Sequence, residues 1–397
     1  MAKTCNIALI GSGFMGRTHS NAYLKVAKFF NIPYNPVMHT IVSRNPGVAG
    51  FAKRWGWGSF GTDVMNAINN PEVDLVDLVT PNSLHAEHAV AALEAGKHVA
   101  CEKPLADTLD DARAMAQAAK KAKKSKTFTW FIYRRVPAVA MAHQMVKEGK
   151  LGRIYHVRAA YLQDWGGPDT PLLWRFKGKA AASGASGDLN AHIIDMARFI
   201  TGDEIVEVNG AIKQTFIKKR EVIESAGAAI TGAGAKKGGK KKYGKSNVDD
   251  ALLFLATFKK GALASFEATR LATGDKNANR IEIHGEKGAI RYNFERANEL
   301  EWYDNTLPPR EQGWSTINVT RGGDGHPYVG NWWPAAHIIG YEHTFVNAAA
   351  DMFNVIANKK PVVPVCPFED GYQTQRVLEA AFLAAQNRCP VKLSEVK

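Results

Sequence analysis

The first third of the chain alternates two patterns. Short apolar runs suited to strands are separated by stretches with apolar residues every three or four positions, suited to helices. Asn6-Ile7-Ala8-Leu9-Ile10 is an apolar strand that ends on Gly11, and a helix is expected from about Arg17. His39 to Val42 and Val73 to Val79 are two more strands, the second closed by Thr80-Pro81. Leu84 to Ala95 has helical spacing and stops at Gly96, a residue suited to a left-handed C-terminal turn. His98 to Cys101 is a strand ahead of the breaker Pro104, Leu109 to Lys123 a helix, and Thr127 to Phe131 a further strand. Strands alternating with helices of this size imply βαβ units. They predict an α/β Rossmann domain, a doubly wound parallel sheet, over residues 1–130.

The pattern then changes. A helix near Ala138 to Glu148 leads to a strand at Ile154 to Tyr161, and Gly187 to Thr201 reads as a helix. Strand-like runs follow at Glu207 to Phe216, Ala251 to Phe258, Ala262 to Thr269, Arg280 to His284 and Ala289 to Asn293. Gly261 and Gly285-Glu286-Lys287-Gly288 fall where hairpin turns are needed. Residues 131–397 are therefore expected to form an α+β domain, a mostly antiparallel sheet with helices on one face. Between two strands lies Ala226 to Ser246, rich in Gly, Ala and Lys and without an apolar period; it is expected to be a flexible loop.

Composition narrows the class. The 397 residues exceed one ordinary core, and 45% hydrophobic with 22% charged residues suits a soluble protein. No apolar run approaches bilayer length, and the first residues lack the features of a secretory signal, so a cytoplasmic protein is expected. Cys5, Cys101, Cys366 and Cys389 are scattered, which argues for reduced thiols and against a disulfide framework or metal site. The net charge of +13 comes largely from lysines at 120–126 and 236–245. Neither cluster interleaves aromatics as a single-strand nucleic-acid binder would, so both read as solvated surface.

Gly11-Ser12-Gly13-Phe14-Met15-Gly16 fits G-x-G-x-x-G between a strand and a helix. Gly11 permits the tight turn, Gly13 lets a pyrophosphate approach the backbone, and Gly16 lets helix and strand pack closely. The helix N-terminus offers N–H groups and partial positive charge to the phosphates. After the second strand stands Ser43-Arg44, where a carboxylate would select NAD. A hydroxyl followed by a guanidinium suits the 2′-phosphate of NADP; an Arg44 that only stacks on adenine would leave NAD open.

Two further groups carry chemistry. Glu102-Lys103-Pro104 follows a strand at the carboxyl edge of the sheet, where doubly wound folds bind ligands. Lys103 could stabilise a developing alkoxide there, although alone it could equally be a surface lysine. Asp188 and His192 are spaced i,i+4, which puts them on one helix face. His192 suits reversible proton transfer, and Asp188 could hold the imidazole or bind a substrate hydroxyl; a role at the helix start is the alternative for Asp188.

The glycine loop, Thr80-Pro81-Asn82, Glu102-Lys103-Pro104 and Gly187-Asp188…His192 together resemble the glucose–fructose oxidoreductase/inositol dehydrogenase (Gfo/Idh/MocA) family along nearly the whole chain. The resemblance implies an open-faced second sheet, a catalytic Lys103 partnered by Asp188 and His192, and Asn82 and His85 near the cofactor. Tyr133-Arg134-Arg135, Tyr161 to Trp165, Trp174-Arg175 and Trp332-Trp333-Pro334 resemble a sugar dehydrogenase subgroup of it. Phe14, Met15, Ser43, Arg44, Thr80, Pro81, Glu102, Lys103 and Arg175 are assigned to the cofactor on this basis, and Lys103, Tyr133, Arg134, Gln163, Asp188 and His192 to the substrate. Aromatics beside polar groups suit a carbohydrate, although core packing competes for the tryptophans. The expected activity is hydride transfer between NADP or NAD and a hydroxyl carbon of a sugar, glycoside or cyclitol. An NAD-dependent glycosidase or lyase without net redox change is one rival, and a cofactor-bound sensor without turnover is another. A homodimer or homotetramer through the second sheet is expected, because an open apolar face needs cover.

Overall fold

The computed structural model describes residues 3–178, 183–223, 241–323 and 325–396. They divide into two compact units: residues 1–135 with 340–373, and residues 136–339 with 374–397.

The first unit is built on six strands, β1 (Lys3–Ile10), β2 (Tyr34–Val42), β3 (Ser59–Gly61), β4 (Leu75–Leu78), β5 (His98–Cys101) and β6 (Thr127–Thr129). They pair in the order β3-β2-β1-β4-β5-β6, and every pairing is parallel. This is the doubly wound order, whose topological switch lies between β1 and β4. The helices are α1 (Phe14–Phe29), α2 (Val48–Trp55), α3 (Val64–Asn69), α4 (His85–Glu94) and α5 (Leu109–Lys121). β1 and β4 read as apolar runs because both sheet faces are covered; Ile7, Leu9, Val76 and Leu78 are all buried. Gly96 adopts the left-handed conformation expected after α4. Asp63 caps α3 by accepting from the Met65 and Asn66 N–H groups, and Thr108 caps α5 by accepting from Asp111.

Residues 340–373, which sequence patterning grouped with the second domain, return to this unit. Their helix Tyr341–Ile356 packs on α1 and on residues 132–135. Asp351 in it pairs with the buried Arg135.

The second unit holds a nine-stranded sheet made of β7 (Ile154–Leu162), β8 (Ile205–Gln214), β11 (Ala251–Phe258), β12 (Leu263–Thr269), β13 (Ala278–Gly285), β14 (Gly288–Asn293), β15 (Glu299–Asp304), β16 (Trp314–Asn318) and β17 (Val391–Lys392). The order is β16-β15-β14-β13-β7-β12-β11-β8-β17. β7 and β12 pair in parallel and the other pairings are antiparallel. Helices α6 (Pro137–Lys147) and α7 (Ala191–Thr201) pack on one face. Gly261 at φ +92° closes the β11–β12 hairpin as expected. The strands β9 (Lys219–Glu221) and β10 (Tyr243–Lys245) form a separate ribbon. The expected loop at 226–246 is thus corrected at its end, where Tyr243 to Lys245 pair with β9; its residues 226–240 lie outside the described ones. Among the described residues no helix is long and apolar enough to cross a membrane.

Candidate active site

The glycine loop joins β1 to α1. Gly11 has φ +123°, and a Cβ on it would lie 2.8 Å from the Val79 carbonyl oxygen. A Cβ on Gly16 would lie 2.6 Å from the Gly11 oxygen, so both positions exclude a side chain. At Gly13 a Cβ would meet nothing within 4 Å, which leaves open space over the backbone. The helix starts at Phe14 rather than near Arg17, with Gly13 as its N-cap. No side chain caps it, and no acidic residue stands in its first turn. Its first N–H groups and the dipole end therefore suit an anion, and the residues fit the pyrophosphate of a dinucleotide.

Ser12 Oγ donates to Ser43 Oγ at 2.8 Å, which ties the glycine loop to the end of β2. The Asn45 N–H also donates to Ser43 Oγ, at 3.2 Å. Arg44 is exposed, and Ser43-Arg44-Asn45-Pro46-Gly47 contains no carboxylate.

Thr80, Pro81 and Asn82 follow β4, and Glu102, Lys103 and Pro104 follow β5. His85, expected near the cofactor, is fully buried. Its Nε2 lies 3.0 Å from the Thr80 oxygen, and its Nδ1 lies 3.2 Å from the oxygens of Pro104 and Leu105. Burial lowers its pKa, outweighing the pull of those carbonyls and of Glu102. His85 is therefore a brace between the two loops. Glu102 is also buried, with Oε2 accepting the Lys103 N–H at 3.0 Å. Its other oxygen faces His19, a residue that motif reasoning had passed over.

In the second unit, Ser186–Asn190 forms a π-helical turn that runs into α7. Gly187 to Thr201 is thus helical as expected, but Asp188 sits in the wider turn. Its Oδ2 accepts from Arg270 Nη2 at 2.6 Å. Arg270 is buried, also donates to the Gly184 oxygen at 3.1 Å, and lies over the Trp165 ring at 5.0 Å. Arg175 stacks on Trp174 at 4.5 Å. Its pKa is lowered by burial first, with Asp188 opposing and Arg270 adding to the effect. His192 is only 8% exposed, its ring centroid 5.8 Å from that of Tyr161. At the end of β7, Tyr161 Oη and Gln163 Nε2 both donate to Asn277 Oδ1, at 2.8 and 2.7 Å, and Trp165 Nε1 donates to Gln163 Oε1 at 2.6 Å. This cluster offers hydroxyl partners next to an aromatic surface.

Arg134, expected at the substrate, is buried, and its Nη2 donates to Asp370 Oδ2 at 2.7 Å, an ion pair within the first unit. The neighbouring tryptophans divide: Trp332 is packed into the protein and Trp333 is exposed. Tyr133 is buried. Arg270 was missed because it is 82 residues from Asp188, and only strand pairing brings it there.

A doubly wound sheet opening on an uncapped, glycine-started helix defines a dinucleotide-binding protein. The chain belongs to the Gfo/Idh/MocA family of oxidoreductases. Residues 5–129 match the model described as "Oxidoreductase family, NAD-binding Rossmann fold", and residues 139–291 match the GFO/IDH/MocA C-terminal domain. The chain is 41% identical to levoglucosan dehydrogenase of Pseudarthrobacter phenanthrenivorans over 98% of both chains. Its fold is similar to an oxidoreductase domain protein from Kribbella flavida, with TM-score 0.90 and 44% identity over 99% of this chain and 100% of that one. It is also similar to levoglucosan dehydrogenase solved with NADH and levoglucosan, with TM-score 0.89 and 38% identity over 99% of this chain and 100% of that one.

Proposed function

We propose that the protein is a cytoplasmic NAD(P)-dependent dehydrogenase that interconverts a secondary hydroxyl and a ketone on a sugar, glycoside or cyclitol, with levoglucosan the first substrate to try. The observation that carries this reading is the end-to-end likeness to levoglucosan dehydrogenase, joined to an open cradle over Gly13. When bound, the nicotinamide supplies the hydride acceptor or donor. The chain supplies alignment and charge. His192 takes the hydroxyl proton on its imidazole. Lys103 donates to the same oxygen as negative charge builds there. Asp188, fixed by Arg270, accepts from a neighbouring hydroxyl, and Gln163 and Tyr133 position the ring. On the cofactor side, Ser43 and Arg44 favour NADP over NAD, since a 2′-phosphate gains a guanidinium and meets no carboxylate. Thr80, Pro81, Asn82 and Arg175 complete the cofactor assignment.

A panel of sugars and cyclitols with each cofactor, followed at the absorbance of the reduced nicotinamide, tests the reading. Turnover of levoglucosan or a related sugar supports it. Aglycone release from an aryl glycoside without net cofactor change would replace it with a glycosidase. Tight cofactor binding with no turnover on the panel would replace it with a sensor.

A further inference from the structure

His19 lies on α1, shortly after the glycine loop, and is fully buried. Each of its ring nitrogens faces a carboxylate. Nδ1 lies 2.7 Å from Asp77 Oδ2, and Nε2 lies 3.0 Å from Glu102 Oε1. A neutral imidazole has one N–H and one lone pair. It would set that lone pair against a carboxylate oxygen, whereas the imidazolium donates at both ends.

The surroundings favour the same form. Asp77 Oδ2 also accepts from Tyr23 Oη at 2.7 Å, and its Oδ1 accepts from Trp130 Nε1 at 2.9 Å. Those donors leave Asp77 only the part of acceptor. Glu102 is occupied on both sides, by His19 and by the Lys103 N–H. The rings of Trp130 and Phe345 pack against the imidazole at 4.3 and 5.5 Å and exclude water. Among the described groups around the cluster, the Cys101 thiol and the Tyr23 phenol are raised by burial and His85 is lowered by burial. Burial alone would lower the pKa of His19, but the charges and hydrogen bonds of Asp77 and Glu102 outweigh it and lift it to about 9. Without the imidazolium, two buried carboxylates would face each other uncompensated.

We propose that His19 is a positioning residue for Lys103: its imidazolium clamps Glu102, whose second carboxylate oxygen holds the Lys103 backbone N–H, so that the cofactor helix and the lysine share one frame. The inference rests on the assignment of Lys103 to catalysis.

His19→Gln keeps a hydrogen-bonding group and removes the charge. It should lower kcat for levoglucosan about 10–100-fold, the scale of a small misplacement of a reacting group. The NADH Kd, read by fluorescence titration, should stay unchanged. In a Lys103→Ala background the same change should cost little more, because His19 acts through that lysine. Adding Glu102→Gln to His19→Gln should restore much of the rate, since two neutral amides then link the Asp77 carboxylate, which keeps its Tyr23 and Trp130 donors, to the Lys103 N–H. An equal loss in both backgrounds, a double variant no better than the single, or normal turnover in His19→Gln would each overturn the proposal. Normal turnover in Lys103→Ala would instead remove the lysine, and the inference with it. Nitrogen-15 NMR of the imidazole gives a check that does not depend on turnover. His19 should carry protons on both nitrogens at pH 8 and become neutral in Glu102→Gln, where the new amide donates to Nε2. A neutral ring in the unsubstituted protein overturns the proposal.

Discussion

Asp188 and Lys103 illustrate how a site residue depends on a partner that no local motif announces. Gly-Asp-x-x-x-His marks Asp188 and His192, but the orientation of the carboxylate comes from Arg270, a residue brought by β12. Arg270→Lys keeps the charge but loses the rigid, planar guanidinium whose Nη2 donates to both Asp188 and the Gly184 oxygen. It should raise KM more than it lowers kcat, and steady-state kinetics on the two variants Arg270→Lys and Asp188→Asn should show the same split; unchanged KM in either removes this pair from substrate binding. For the chemistry itself, Lys103→Ala should cost about 10²–10³ in kcat. His192→Ala should cost about 10²–10⁴. His192 is buried against Tyr161, so its truncation should also lower the melting temperature. His192→Asn, which fills more of the space, should recover stability without recovering rate. Near-normal turnover in either variant would remove His192 from the mechanism. Ser43→Asp should move preference from NADP towards NAD by adding a 2′-hydroxyl acceptor, and an unchanged ratio of the two Kd values would sink the cofactor assignment.

At the scale of elements, the strand–turn–helix at the glycine loop was legible because each glycine answers a steric demand within a few residues. Gly11→Ala tests that demand: a positive φ and the Val79 carbonyl 2.8 Å from the new Cβ should cost on the order of 1–3 kcal/mol, read as a lowered melting temperature with weakened cofactor binding. What patterning missed has physical causes. α2, β3 and α3 span 8, 3 and 6 residues, too short to show a period. The parallel pairing of β7 with β12 depends on crossovers far apart in sequence, and hydropathy does not encode strand direction. The helix Tyr341–Ile356 has clear helical residues, but only tertiary packing assigns it to the first unit. The buried His19 cluster was invisible because α1, β4 and the turn after β5 each contribute one member. It also links the fold to pH. The His19 pKa is raised in the folded state, from an ordinary value near 6.5 to about 9. Its contribution to stability is therefore full below about pH 6.5 and is lost as pH rises through about 9. Melting temperatures measured from pH 7 to 10 should fall along the alkaline limb, and that limb should flatten in His19→Gln with Glu102→Gln; an unchanged limb would assign it to other groups.

On the scale of the whole molecule, the second sheet poses a problem that one chain does not solve. α6 and α7 cover one face, while the other shows Ile212, Leu253, Leu255 and Leu263 to solvent. Register puts these side chains together: Leu253 lies opposite Ile212, and Leu263 lies opposite Thr257, two residues along from Leu255. Ile212 is 72% exposed, Leu255 58% and Leu263 60%, an unusual cost for neighbouring aliphatic residues on a flat surface. The same face turns polar further along. Arg158 donates to Glu282 at 3.2 Å, Arg291 stacks on Trp314 at 3.9 Å, and His156 lies beside His284 with ring centroids 5.9 Å apart. An apolar field with a charged, aromatic flank is suited to a two-fold contact, in which the aliphatic patch meets its own copy and the flank fixes the register. We therefore expect a homodimer or a homotetramer built from such dimers. Light scattering at micromolar concentration should give twice or four times the 43.4 kDa chain mass. Leu255→Glu together with Leu263→Glu should dissociate the assembly, because like charges would be buried against their own symmetry mates. The same pair of substitutions should leave the monomer folded, since both side chains are solvent-exposed in the single chain. A protein that is monomeric before any substitution would overturn the argument, and so would an assembly indifferent to both glutamates.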